Sequence, residues 1–235
     1  MHATHRFTPG LRFDRFWQYQ TLTTTGAAHW SQLPLAPGPH DALDPNGAWW
    51  CSRRCAAVLL RRRWQAMHMP PSLPAQPGAA DVARVLQGLL PGWQVALYRQ
   101  QAQAVQAVPP LQGGQGGQGP QQALPACAQA LDQGGCGLLL LQSLQGGRYA
   151  QRTFWAWVMG IELQESARRA YRGQPGSRAL LAMPFGGTAP WACSALVRLR
   201  RFGGEMYLLD SQQGPCGESR CLAAIALSPD DGART

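Results

Sequence analysis

The sequence predicts an α+β domain, an antiparallel sheet packed against helices. Three observations carry that expectation. Apolar and β-branched runs of strand length recur along the chain, and two segments place apolar residues at helical spacing. Near the C-terminus, Gly203-Gly204 separates LVRLR from EMYLLD as a hairpin turn would. At 235 residues and 45% hydrophobic composition, residues 1–235 fit one domain with a sizeable core.

The elements follow in order. DRFWQYQTLTTT, residues 14–25, is aromatic and β-branched enough for a strand, and a proline- and glycine-rich loop runs from Leu33 to Gly47. From Cys51 to Met67, apolar residues at Cys55, Val58 and Leu59 predict a helix starting near Cys51. After the linker MPPSLPAQPG, DVARVLQGLL reads as an amphipathic helix ending at Pro91, and WQVALYR as a strand. Residues 109–122, PPLQGGQGGQGPQQ, form a low-complexity insertion. CGLLLLQSL has no polar face and reads as a buried strand. FWAWVMGIELQESARRAYRG is expected to be helical, and SRALLAMPFGG and SALVRLRRFGGEMYLLDS supply further strands and a terminal hairpin.

Charged residues make up only 14% of the chain, the formal net charge is +9, and all 21 basic residues are arginine. With no lysine there is no Schiff base and no phosphate-loop lysine, so GGQGGQG reads as linker. The arginines are scattered, with short clusters at Arg61–Arg63 and Arg198–Arg201, so a solvated basic face is favoured over RNA binding. No apolar stretch is long enough to cross a membrane. Seven cysteines cannot all pair, and no secretory segment opens the sequence; thiols in a reducing, cytoplasmic setting are expected. The acid-free first 13 residues make a weak mitochondrial presequence the second reading.

A cysteine nucleophile needs a stabilised thiolate, which a helix N-terminus can supply through unbonded N–H groups, and a base held by an orienting group. Cys51, after Trp49-Trp50 and at the expected helix start, meets the first condition. Asp210, closing MYLLD where the chain enters a loop, suits the orienting role.

NGAWWCSRRCAAVLL resembles the nucleophile segment of the autophagy-related cysteine peptidases, which cleave and delipidate a ubiquitin-like modifier after its C-terminal glycine. Trp49, Cys51, Arg54 and Cys55 match that segment, and Trp50 stands where glycine is usual. FWQYQ resembles the preceding aromatic strand, with Tyr19 at the oxyanion-holding position. GAADVARVLQGLLPGWQVALY is similar to the helix and strand that follow the nucleophile, and FGGTAPWACSALVRLRRFGGEMYLLDSQQ to the terminal segment. The resemblance covers about half the chain and implies a papain-like fold with Cys51, Asp210 and Tyr19 at the site; the peptidases of the ubiquitin-fold modifier share a related layout.

One departure bears on activity. The family carries Asp-Pro-His, and here the tripeptide is Asp210-Ser211-Gln212. Glutamine can orient or donate a hydrogen bond but cannot take a proton from a thiol. Trp50 would also crowd the channel for the modifier's terminal glycines. His29 and His40, in the preceding loop, could fold back but read as exposed loop residues; His68 lies about 25 Å along the helix at 1.5 Å per residue.

The cysteines admit two other readings. Cys51, Cys55, Cys216 and Cys221 could make a four-thiolate zinc site, though their spacings miss the tight knuckle pattern; no metal or cofactor is expected. Cys136 in GGCG could serve another deconjugating peptidase class with His29, but the leucines after it read as core. The expectation is therefore a divergent cysteine peptidase-like protein with impaired or lost catalysis. The alternative is a silent scaffold or binding subunit, in a ribonucleoprotein among other assemblies, that uses the old substrate groove. In either case the implied partner is a ubiquitin-like modifier or another protein.

Overall fold

The computed structural model describes residues 3–7, 46–60, 77–99, 123–144, 152–164, 178–182, 194–202, 205–210 and 218–230. The described elements run β1 (Ala3–Phe7), α1 (Ala48–Leu59), α2 (Ala79–Leu89), β2 (Trp93–Arg99), α3 (Ala123–Asp132), β3 (Cys136–Ser143) and β4 (Thr153–Gln164). They continue with β5 (Arg178–Ala182), β6 (Ser194–Phe202), β7 (Glu205–Asp210) and β8 (Glu218–Pro229). The antiparallel sheet and its helices agree with the α+β expectation.

Strands β3 to β8 pair in sequence order, each antiparallel to the next, and β8 returns to pair with β3. These ladders close into a circuit, with β1 extending the β3 side of β4 and β2 extending the β7 side of β8. Alternate residues then divide the interior into two cores. Cys136, Leu138, Trp155, Trp157, Met159, Ile225 and Leu227 pack with α1 and α2, whereas Leu139, Leu141, Phe154, Ala156, Val158 and Ala224 pack with α3. Two register shifts break the alternation. One, between Val158 and Gly160 on β4, puts Ile161 on the α3 side; the other, opposite Leu140/Leu141, puts Cys221 there too.

Local chemistry sets the helix ends. The backbone N–H of Gly78 donates to Asp81 Oδ2 at 3.0 Å, placing a carboxylate in the first turn of α2, and Ala79, Val82, Ala83 and Leu86 form its buried stripe. Helix α3 stops at Gly134, whose φ of +78° is open to glycine at little cost. The Gly135 N–H then closes on the Ala130 carbonyl at 2.7 Å, and β3 begins at the next residue.

Several expectations need correction. FWAWVMGIELQ is strand β4, not helix. Its period-two pattern is invisible because both faces are covered, with tryptophans toward α1 and Phe154, Ala156 and Val158 toward α3. The expected terminal hairpin is followed by a long strand, β8, and both α3 and β1 went unassigned. Helix α1 starts at Ala48, three residues before Cys51. The expected strand at 14–25 and the insertion at 109–122 lie outside the described residues.

Candidate active site

Helix α1 carries the cysteine singled out by the sequence, and the chain before it is fixed by an Asn-Gly turn. The Asn46 carbonyl accepts the Trp155 N–H of β4 at 2.7 Å, and its side-chain Oδ1 accepts the Ala48 N–H at 3.2 Å. Gly47 sits at φ +73°, a left-handed conformation that a side chain would strain. The ten residues from Ala48 to Ala57 are all buried, arginines included.

This placement changes what Cys51 can do. Its N–H already donates to the Gly47 carbonyl at 3.0 Å, so Cys51 is one residue beyond the unbonded first-turn amides. The residue has 0% exposure and packs among Trp50, Cys55, Trp155 and neighbouring core side chains. The expected thiol at an open helix start is instead a core group, because α1 begins earlier and its tryptophans are drawn into the interior. Arg54 shares that interior. Its guanidinium lies 4.1 Å from the centroid of the Trp50 ring and donates from Nη1 to the Trp50 carbonyl at 3.3 Å. Trp50, which departs from the family's glycine, thus serves as the platform for an arginine one turn on.

The surrounding thiols are held neutral. Burial, reinforced by a hydrogen bond that the Cys55 thiol donates to the neighbouring Cys136, pushes the Cys55 thiol well above its ordinary value. Burial also raises Cys127, and pushes Cys221 up to about 12; the Cys221 sulfur donates to the Ala223 carbonyl at 3.4 Å. Thiolates are the reactive form, so this environment suits inert packing.

Of the four predicted site residues, Cys51 and Asp210 fall among the described residues; Tyr19 and Gln212 lie outside them. Asp210 closes β7 opposite Val197. Strand β7 is separated by β8 from β3, whereas α1 packs on β3 and β4. His5 is the one histidine among the described residues. It lies on β1 opposite Glu162, seven residues along β4 from Trp155, or about 23 Å at 3.3 Å per residue. His29, His40, His68 and Cys216 lie outside the described residues.

The zinc reading does not survive the register of β8. Cys51 and Cys55 belong to the α1 side of the sheet and Cys221 to the α3 side. Among the described residues, no three His, Cys, Asp or Glu side chains are grouped to hold a metal. No described helix is long and apolar enough to cross a membrane.

Comparison with protein-family models, curated proteins and solved structures finds no match.

Sequence reasoning missed Asn46 and the Cys55–Cys136 contact. The Asn-Gly dipeptide before the apolar run was a usable turn signal. The thiol contact joins residues far apart in sequence, and no local pattern reports it.

Proposed function

We propose that this protein is a catalytically silent relative of the autophagy-type cysteine peptidases. It acts by binding a protein partner, a ubiquitin-like modifier by resemblance, at the surface that corresponds to the family's substrate groove. The observation that carries the reading is the complete burial of Cys51 inside α1. A nucleophile must meet a carbonyl carbon, and the sulfur of a residue with no exposure, within the core cluster that α1 shares with the sheet, cannot do so without moving the helix. Gln212 in place of the family's histidine supports the same reading, since an amide cannot deprotonate a thiol.

The test pairs a binding assay with an activity probe. Calorimetric titration with a ubiquitin-like modifier ending in a free glycine should give saturable binding that leaves the modifier uncleaved. The same modifier carrying an activated C-terminal glycine should form no adduct at Cys51. Adduct formation abolished by Cys51→Ser would identify an active peptidase instead. Failure of every ubiquitin-like modifier to bind would remove the partner assignment.

A further inference from the structure

Strand β2 lies at one edge of the sheet. Its 7 residues, Trp93–Arg99, pair with β8 over their whole length, and among the described residues no strand pairs with its other side. Exposed sheet edges are ordinarily guarded by proline, lysine, a bulge or an inward-pointing charge. Strand β2 has none of these: its register runs without a shift, and its one charged residue, the exposed Arg99, stands at the end. On the α1–α2 side of that edge, Leu89 of α2 and Trp93, Val95 and Leu97 of β2 are only partly buried.

We propose that β2 is the pairing strand for a second copy of this chain, joined antiparallel to the other copy's β2 about a two-fold axis at Ala96. The phase of the existing ladder sets which groups are available. The Asp230 N–H donates to the Gly92 carbonyl at 3.1 Å, and in the next pair Trp93 stands opposite Pro229, which has no N–H to give. Bonded and non-bonded pairs alternate along an antiparallel ladder. Gln94, Ala96 and Tyr98 therefore bond to β8, and Val95, Leu97 and Arg99 turn their N–H and C=O groups outward. An antiparallel copy centred on Ala96 sets Val95 opposite Leu97, where the two exchange backbone bonds, and Arg99 opposite Trp93.

That register is self-complementary. Ala96 faces its own copy at a non-bonded position, where Cα atoms approach to about 4.5 Å and a small side chain fits. The exposed Arg99 of one chain meets the half-buried Trp93 ring of the other, a cation–π pair made on both sides of the axis, while the two arginines stay at opposite ends. Leu97 against Val95 extends the α1–α2 core across the axis. The proposal is independent of the silent-groove reading, because β2 pairs with β8 whereas α1 packs on β3 and β4.

The test is sedimentation equilibrium of the full-length protein from about 1 to about 100 μM, the range suited to a modest interface. Expected is a mass rising toward twice the 25.5 kDa of one chain. The Val95 and Leu97 amides should exchange with solvent about tenfold more slowly at the high end of that range than at the low end. Ala96→Glu and Ala96→Arg each place like charges face to face on the axis, so each variant should stay monomeric, and their equimolar mixture should recover the dimer. That recovery also shows that both variants fold. A monomer throughout, whether or not it takes up an added extended peptide, would overturn the proposal, as would assembly beyond two chains or a dimer that both substitutions leave intact. Failure of the mixture to pair while both variants keep the wild-type circular dichroism would count against it equally. Protection of the Val95 and Leu97 amides at every concentration would show that the edge is covered from within the chain, and would overturn it too.

Discussion

The Asn46 carbonyl and the Trp155 N–H are joined at 2.7 Å, across more than a hundred residues of intervening chain. This one bond seats the start of α1 against β4 and so decides that Trp50 and Cys51 enter the core rather than a cleft. Replacing Asn46 with Ala keeps the carbonyl but removes the Oδ1 acceptor for Ala48, at an expected cost of about 1 kcal/mol. Gly47→Ala forces a side chain into the left-handed region at φ +73° and should cost about 1–2 kcal/mol. Urea denaturation midpoints of the two variants check both values.

Gly135 and Gly137 should respond differently to alanine. A Cβ at Gly137 would meet Cys127 Sγ at 2.8 Å and its Cβ at 3.0 Å, side-chain atoms of α3 that can shift. A loss of about 1–3 kcal/mol is expected, partly restored by adding Cys127→Ala. At Gly135 the new atom would overlap the backbone carbonyl of Leu227, which is held in the β3–β8 ladder. That variant should lose more than about 3 kcal/mol or fail to fold, as circular dichroism and chemical denaturation would report.

Trp157 separates packing from polarity. The side chain is fully buried and its indole N–H finds no hydrogen-bond acceptor. Trp157→Ala should cost about 3–5 kcal/mol through the cavity it leaves. Trp157→Phe keeps much of the ring and deletes the unsatisfied donor, so a loss within about 1.5 kcal/mol is expected. Equal losses for the two variants would contradict this account of the site.

Alkali should unfold the domain earlier than its acidic groups would suggest. Cys221 titrates near 12 in the folded state against an ordinary value of 9.0, and burial raises Cys55, Cys127 and Tyr98 in the same direction. A raised folded value means that the unfolded chain loses its proton first. The stabilisation is complete below about pH 8.5 and declines as pH rises toward 12. Denaturation midpoints should hold from pH 7 to about 8.5 and fall from there toward pH 11, and Cys221→Ala should flatten that fall.

These predictions also mark what was legible in the chain. The leucines of β3 have no polar face, WQVALYR has strand length and ends at a boundary, and the periodic stripe of α2 needs no tertiary information. Strand β4 was misread because helices cover both of its faces, which erases the alternation that marks a strand. Helix α3 is short, rich in alanine and carries a proline, and it directly follows the low-complexity run, so no long periodic stripe marks it. Strand β8 contains small apolar residues, and its bulge interrupts the period near Cys221. At the site, the residue types around Cys51 could be read, but its burial could not. Whether a sulfur after two tryptophans faces solvent depends on where the helix begins, and that is set by the distant Trp155.

The most direct measurement is the rate at which iodoacetamide labels Cys51 in the native protein at neutral pH. Burial in the α1 core predicts labelling slower than in the unfolded chain on the order of 100-fold or more, with protection lost in denaturant. Rapid labelling of the native protein, removed by Cys51→Ser, would contradict the account and return Cys51 to the role of nucleophile.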